Sequence, residues 1–181
     1  MAQYNLLLIS GALRKGSTNR LLLREAARHF DAQQAQEADL NLPLYDGDLE
    51  AADGVPAAVQ TLADQIQAAD AVVISTPEYN RAPSGVLKNA LDWVSRTEGN
   101  PWQDKPVAVL SAAAGRAGGE LAQHILRGFL QPFQPCVIAG PAVHLATSFQ
   151  EFEDGGQLKS DRYSESLAAL MAMLKAEVAS R

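Results

Sequence analysis

The chain has little cysteine, no excess of positive charge and no long apolar run, and each shortage excludes a class of protein. Cys136 is the only cysteine among 181 residues, so no internal disulfide can form and a reducing, cytoplasmic location is expected. The net charge of -6 argues against general nucleic-acid binding, which needs concentrated lysine and arginine. No apolar run approaches the roughly 20 residues that cross a bilayer, and no signal peptide is evident at the amino terminus.

The remaining composition, 47% hydrophobic and 20% charged, is typical of a globular domain. Short apolar segments alternate with amphipathic ones, which implies right-handed crossovers and a parallel sheet. We therefore predict one doubly wound α/β domain over residues 1–181. Strands are predicted over 4–10, 35–40, 71–76, 106–111 and 135–139. Helices are predicted over 18–30, from Pro56 onward, and over 84–96, 118–133 and 160–180, with a loop from 42 to 54.

The stretch after the first apolar run is suited to binding a phosphate. Gly11 and Gly16 permit a tight turn and a close approach of the backbone to an anion. Exposed N–H groups and the positive end of the helix dipole favour negative charge where the next helix begins. Short polar residues that cap helices well, and two cations, complete the loop: Ser17, Thr18 and Asn19, with Arg14 and Lys15.

Two other phosphate-binding loops fit this stretch less well. A nucleoside triphosphatase loop ends in Gly-Lys-Ser/Thr, whereas Lys15 here precedes Gly16. A dinucleotide fingerprint needs Gly-x-Gly-x-x-Gly, but no glycine lies between Gly11 and Gly16. Taken alone, the loop is also compatible with an ordinary strand-to-helix turn that has a Ser/Thr cap.

Two further loops leave predicted strands at the same edge of the sheet, where ligands bind in parallel α/β folds. After the third strand, Pro77 fixes one backbone angle and Tyr79 offers a flat apolar surface suited to a heteroaromatic ring. Glu78 and Asn80 can hold the turn by local hydrogen bonds, although a purely structural turn with Tyr79 partly buried is equally compatible. The loop 111–119 is rich in glycine and alanine, so a ligand could approach its backbone closely. Together the three loops predict one composite pocket.

These motifs resemble those of the NADPH-dependent FMN reductase family, especially its branch of bacterial quinone and chromate reductases. The first signature corresponds to Leu13-Arg14-Lys15-Gly16-Ser17-Thr18-Asn19. The second corresponds to Thr76-Pro77-Glu78-Tyr79-Asn80 followed by Gly85-Val86-Leu87-Lys88-Asn89-Ala90-Leu91-Asp92-Trp93. The resemblance runs from the first strand to about Pro141. It implies a flavodoxin-like sheet of five parallel strands in the order 2-1-3-4-5 with helices on both faces.

The resemblance also implies FMN as cofactor and NADPH or NADH as donor, with ping-pong hydride transfer through the flavin to quinones. Chromate, azo and nitro compounds are further implied acceptors, and a homodimer or homotetramer is the implied assembly. The chemistry would lie on the flavin N5, so no catalytic side chain is implied, and no metal-ligand cluster stands out. The residues implied to contact FMN are Gly11, Ala12, Arg14, Gly16, Ser17, Thr18 and Asn19, then Pro77, Glu78, Tyr79 and Asn80, and finally Ser111, Ala112 and Gly115.

Two alternatives to a reductase stay open at this point. A flavodoxin-like electron carrier usually sandwiches its flavin between aromatic rings, whereas Tyr79 is the only evident ring neighbour here. A flavin-free binding or regulatory relative is the second alternative, because Ala12 stands where the family usually has serine and Ala113 and Ala114 where polar residues are frequent. On the helix after the second loop, four residues are expected to serve helix packing or a subunit interface: Lys88, Asn89, Asp92 and Trp93.

Overall fold

The computed structural model describes residues 4–181, so the first three residues of the predicted domain lie outside the described part. Its parallel sheet has the order β2-β1-β3-β4-β5, which confirms the flavodoxin-like strand order. A short sixth strand also pairs with β4. The strands are β1 (Asn5–Ser10), β2 (Gln34–Glu37), β3 (Ala71–Thr76), β4 (Pro106–Ala112), β5 (Cys136–Val137) and β6 (His144–Leu145).

Helices cover both faces of this sheet, as predicted. The first and last helices bury Leu22, Phe30 and Met171 against one face, and three middle helices bury side chains such as Ile66 and Leu126 against the other. Successive residues of the central strands point to opposite faces, so strands covered on both sides are apolar throughout. The helices are α1 (Thr18–Phe30), α2 (Gly47–Asp53), α3 (Ala57–Ala68), α4 (Gly85–Val94), α5 (Glu120–Leu130) and α6 (Asp161–Ala179).

Helix α2 lies in a segment that the sequence predicts as a loop, so that prediction is wrong. The carboxylate of Asp46 caps the helix by accepting a hydrogen bond from the Asp48 N–H at 2.9 Å. None of the residues of α2 is buried, so the helix has no apolar stripe for a sequence pattern to reveal.

The predicted fifth strand over 135–139 is shortened to β5, and the unpredicted strand β6 follows it along the same edge of β4. β5 and β6 both pair with β4, at Pro106↔Cys136 and Ser111↔His144, so the register moves by three residues between them. The interruption contains Gly140 and Pro141. Proline has no N–H to donate to the ladder, which explains why continuous pairing stops there.

Candidate functional site

The first loop leaves β1 in direct contact with β3 and α4. The Gly11 N–H donates to the Ser75 carbonyl at 2.9 Å. A Cβ at Gly11 would lie 2.7 Å from Leu87 Cδ1 and 2.9 Å from Ser84 Oγ, so a side chain there would collide with the start of α4. Glycine therefore lets the loop pass close to α4.

The next residues form an exposed row of backbone N–H groups at the start of α1. Ser17 is the N-cap, and its hydroxyl oxygen accepts from the Asn19 N–H at 3.2 Å. Its own N–H donates to the Arg14 carbonyl at 3.1 Å, which closes a turn. The N–H groups of five residues form no hydrogen bond within residues 4–181: Leu13, Arg14, Lys15, Gly16 and Thr18. Unpaired amides at a helix start are an anion-binding arrangement.

Positive charge lies beside these amides, in the exposed side chains of Arg14 and Lys15. Neither forms an ion pair with the part of the chain that the structure describes. Two hydroxyl groups of this region already have hydrogen-bond partners within the protein. Ser10 Oγ bonds to the Ala12 backbone at 3.1 and 3.2 Å, and Thr18 Oγ1 lies 2.8 Å from Ser148 Oγ. Ala12 itself is buried.

Asn19 lies beneath the loop rather than on its exposed side. Its Nδ2 donates to the Ala112 carbonyl at 3.0 Å, and its Oδ1 accepts from the Ser75 hydroxyl at 2.7 Å and the Ala112 N–H at 3.1 Å. These bonds join α1 to the carboxyl ends of β3 and β4. The side chain therefore supports the loops from inside the protein.

The second loop is a tight hairpin turn. Tyr79 and Ala82 exchange two backbone hydrogen bonds, at 3.0 and 3.1 Å, around Asn80 and Arg81. These two central residues have φ angles of 50° and 65°, as in a type I′ turn. The buried Pro77 precedes this turn. Tyr79 is 60% exposed, so its ring stands at the rim of the site rather than being partly buried.

Glu78 connects the second loop to α5. Its Oε2 accepts a hydrogen bond from the Ala122 N–H at 3.0 Å, in the first turn of that helix. A carboxylate at this position satisfies a free helix amide and lies at the positive end of the helix dipole. Glu78 therefore joins the second loop to the start of α5, rather than holding its own turn by the local hydrogen bond expected from the sequence.

The third loop approaches the strands so closely that two of its residues must be glycine. A Cβ at Gly118 would lie 2.4 Å from the His144 carbonyl oxygen, and one at Gly119 would lie 2.9 Å from Ser111 Cβ. Both residues also have positive φ angles, 62° and 85°. Ser111 and Ala112 are buried in β4 below the loop, whereas Gly115 has no other atoms within 4 Å of the position of a Cβ. The open part of the loop is thus centred on Gly115.

A groove of about 540 Å³ begins at the second and third loops and follows α5. Among its lining residues are Arg81, Arg127 and His144. Burial lowers the pKa of His144, with Glu120 acting against this shift and Arg127 in the same direction as burial. The sequence does not predict this groove, because its walls come from three separate segments of the chain.

Residues 4–181 contain no cluster of three or more His, Cys, Asp and Glu side chains that could hold a metal ion. Within the same residues, no helix combines the length and the apolar character needed to span a bilayer.

A parallel sheet in this order, with helices on both faces and an anion-binding loop after β1, defines a flavodoxin-like nucleotide-binding protein. The sequence profile of the NADPH-dependent FMN reductase family matches residues 4–150. The chain belongs to this family. The sequence resemblance to it is thereby confirmed, together with the expected FMN cofactor and NAD(P)H donor. An electron carrier and a flavin-free relative are not favoured.

Similar proteins agree with this assignment. An NAD(P)H-dependent FMN reductase from Pseudomonas aeruginosa is 42% identical over 159 residues, which cover 87% of this chain and 85% of that protein. A quinone reductase from Escherichia coli is 43% identical over 123 residues, covering 66% of this chain and 65% of that protein. The solved structure of FerB, a flavoenzyme NAD(P)H:(acceptor) oxidoreductase from Paracoccus denitrificans, has a TM-score of 0.87 at 28% identity and covers 98% of both chains.

Proposed function

We propose that this protein oxidises NAD(P)H and transfers the electron pair through bound FMN to quinones in a ping-pong cycle. The observation that supports this most directly is the row of unpaired amides at the start of α1, next to two loops suited to a flat ring. When bound, FMN supplies hydride acceptance and release at its N5. The protein supplies binding, orientation and electrostatics.

The phosphate of FMN would lie against the first loop. The amides of Leu13, Lys15, Gly16 and Thr18 would donate to it, and the Ser17 hydroxyl can donate while its oxygen accepts from Asn19. Arg14 would add a charge-assisted contact. Gly11, Ala12 and Asn19 would shape the loop rather than contact the phosphate through a side chain.

The flavin ring would lie between the second and third loops. Pro77 and Glu78 would fix the backbone beside it, Asn80 would hold the turn, and the exposed Tyr79 ring would border it. On the other side, the open backbone at Gly115 and the ends of β4 at Ser111 and Ala112 would face the ring. The N–H groups of Ala114, Gly115, Arg116 and Ala117 form no hydrogen bonds within residues 4–181. Such amides could stabilise negative charge on a reduced ring.

The proposed acceptors are quinones, with chromate, azo and nitro compounds as further candidates that also take up electrons. Relatives from Escherichia coli and Pseudomonas putida, 43% and 38% identical, are named quinone reductases. A homodimer or homotetramer is the proposed assembly, supported by exposed apolar side chains around the loops, and the lone cysteine supports a cytoplasmic location. The exposed side chains are Leu13, Leu44, Tyr79 and Phe149.

An anaerobic reduction experiment tests the proposal. Protein saturated with FMN is mixed with NADPH, and the flavin absorbance is followed before and after addition of a benzoquinone. We expect bleaching by NADPH and recovery of the absorbance on adding the quinone. FMN that binds but is not bleached would identify a carrier, and a protein that does not quench FMN fluorescence would identify a flavin-free relative. Sedimentation of the loaded protein measures the assembly.

A further inference from the structure

The groove along α5 contains charged groups that the proposed flavin chemistry leaves without a role. It lies between the helix and the interrupted edge of the sheet, and it opens beside the second and third loops. The side chains that matter for its chemistry are Arg81, Glu120, His124, Arg127 and His144.

Arg127 is a half-buried cation without a carboxylate partner. Its Nη1 donates to the Ile138 carbonyl at 3.1 Å, and it forms no ion pair within residues 4–181. Burial alone lowers its pKa, because no nearby acid compensates for the lost hydration. A guanidinium has five N–H donors, so most of them stay available to an anion in the groove.

Arg81 reaches the same groove from a backbone position that favours glycine. It is the second central residue of the type I′ turn, with a φ of 65°, where Asn-Gly is the preferred pair. Its side chain is exposed and forms no ion pair within the described residues. Because this arginine lines the groove and forms no ion pair there, its guanidinium is free to contact a ligand.

Neither carboxylate of the groove forms an ion pair with Arg81 or Arg127 within the described residues. Glu78 is engaged with the amide of Ala122, at the positive end of α5. Glu120 lies in the first turn of α5 and is exposed to solvent. His124 and His144 add two imidazoles that can donate hydrogen bonds to phosphate oxygens. The groove therefore offers two unpaired guanidinium groups on its walls, within a chain whose net charge is -6.

We propose that this groove binds the phosphate-bearing half of the nicotinamide dinucleotide while the nicotinamide ring reaches the flavin. This inference rests on the proposed function and adds where the donor lies. From Glu120 to Arg127 the helix rises about 10 Å, so its cations can meet phosphates that are remote from the reacting ring. Arg81 lies at the end nearer the flavin and Arg127 at the far end, so donor phosphates would be held along the groove.

The test compares an Arg81→Gly/Arg127→Gln double variant with an Arg162→Gln control. Glycine suits the φ angle of the turn at the first position, and glutamine at the second removes the charge while keeping a polar side chain. Arg162 is exposed on α6 without an ion pair in the described residues. Calorimetry measures NADP⁺ binding to the FMN-loaded proteins. We expect binding to weaken at least about tenfold in the double variant, as for the loss of charge-assisted hydrogen bonds, and to stay as in wild type in the control.

Steady-state kinetics give a second measure, which separates binding of the dinucleotide phosphates from binding of the nicotinamide ring. The ratio of kcat/KM for NADPH to that for reduced nicotinamide mononucleotide should fall about tenfold or more in the double variant. NADH in place of NADPH shows whether the 2′-phosphate or the pyrophosphate is the group that is held. Glu120→Gln removes a negative charge from the groove and should therefore lower the KM for NADPH.

The outcomes separate the two proposals. If NADPH does not reduce the wild-type holoenzyme, the proposed function fails. If NADPH reduces it but the double variant keeps the wild-type NADP⁺ affinity and kinetic ratio, only the groove assignment is overturned. A double variant that changes its sedimenting mass while its NADP⁺ affinity stays the same would assign the groove to contact between copies.

Discussion

At the scale of single residues, the polar groups beneath the first loop are engaged with one another rather than with solvent. Asn19 satisfies its amide on Ser75 and Ala112, and Ser10 bonds to the backbone of Ala12. Thr18 pairs with Ser148. The exposed side of the loop is left to backbone amides, which suits a ligand whose oxygens are all acceptors.

Replacing Asn19 tests this support. Asn19→Ala would leave the N–H and carbonyl of Ala112 and the hydroxyl of Ser75 without their buried partner. We expect the free energy of unfolding to fall by about 3 kcal/mol in urea denaturation, even without FMN. The exposed Asn41→Ala serves as the control with little change. A variant as stable as wild type would show that water replaces the amide.

Ala12 offers a test of the phosphate position. Ala12→Ser restores the hydroxyl that resemblance to the family implies at this position, and one charge-assisted hydrogen bond is worth about 1.5–3 kcal/mol. We expect FMN to bind about tenfold or more tightly in a fluorescence titration. Riboflavin, which has no phosphate, should bind with its wild-type affinity. Unchanged or weaker FMN affinity would contradict this placement of the phosphate.

At the scale of elements, α4 holds the segment before α2. Asn89 Oδ1 accepts from the Tyr45 N–H at 2.8 Å, and the Trp93 indole donates to the Pro43 carbonyl at 2.8 Å. The Tyr45 and Trp93 rings also meet edge to face, with centroids 5.1 Å apart. Asn89 and Trp93 thus have the packing role expected from the sequence, whereas Lys88 forms an ion pair with Asp92 on the same helix.

Helix α2 is joined to the segment that follows α4 by a pH-dependent contact. Arg96 Nε donates to both oxygens of Glu50, at 2.9 and 3.0 Å, and this holds the pKa of Glu50 below its ordinary value of 4.5, with Tyr45 adding a weaker hydrogen bond. A carboxyl group whose pKa is lowered by folding stabilises the folded state at pH values above its ordinary pKa. This stabilisation is lost as the pH falls through the lowered pKa of the folded state.

We therefore expect Arg96→Met to destabilise the protein at neutral pH. The difference from wild type should shrink as the pH falls below 4.5 and Glu50 becomes protonated. Urea denaturation at a series of pH values measures this difference. Because the pair is partly exposed to solvent, the effect should also weaken at high salt. A difference that stays constant with pH would mean that Arg96 acts through packing.

The start of α5 depends on glycines for steric reasons. Gly118→Ala would place a Cβ 2.4 Å from the His144 carbonyl oxygen at a φ of 62°. We expect a loss of about 2 kcal/mol or more. Gly128→Ala in the same helix meets no atom within 4 Å and should gain about 0.5–1 kcal/mol. Chemical denaturation measures the free energy of unfolding of both variants. A Gly118→Ala protein as stable as wild type would mean that β6 can move away.

At the scale of the whole molecule, the proposed ligand joins loops that follow three different strands. FMN at 100 times its Kd should stabilise the folded domain by about 2.7 kcal/mol, seen as a raised thermal midpoint. Riboflavin at the same concentration should raise the midpoint less, because it lacks the phosphate that the first loop would hold. Equal shifts would place the binding energy in the ring alone.

The order and boundaries of most elements could be predicted because their signals are local. The buried strand Ala71–Thr76 is a continuous apolar run, and α1 begins at a cap that the sequence displays. Helix α2 could not be predicted, since none of its residues is buried, and neither could the short strand β6 that follows β5. Their signals depend on what packs around them.

The sequence by itself determined the fold class and the family and identified three candidate loops, because strand, cap and glycine signals lie within a few neighbouring residues. Only the tertiary structure decided what each side chain does there. Asn19 bonds to Ala112, which is 93 residues away in the sequence, and Glu78 accepts from the amide of Ala122, 44 residues farther on. Neither partner can be recognised from the neighbouring sequence. The groove of Arg81 and Arg127 exists only once α5 packs beside the interrupted strand, since contacts between distant segments form through folding alone.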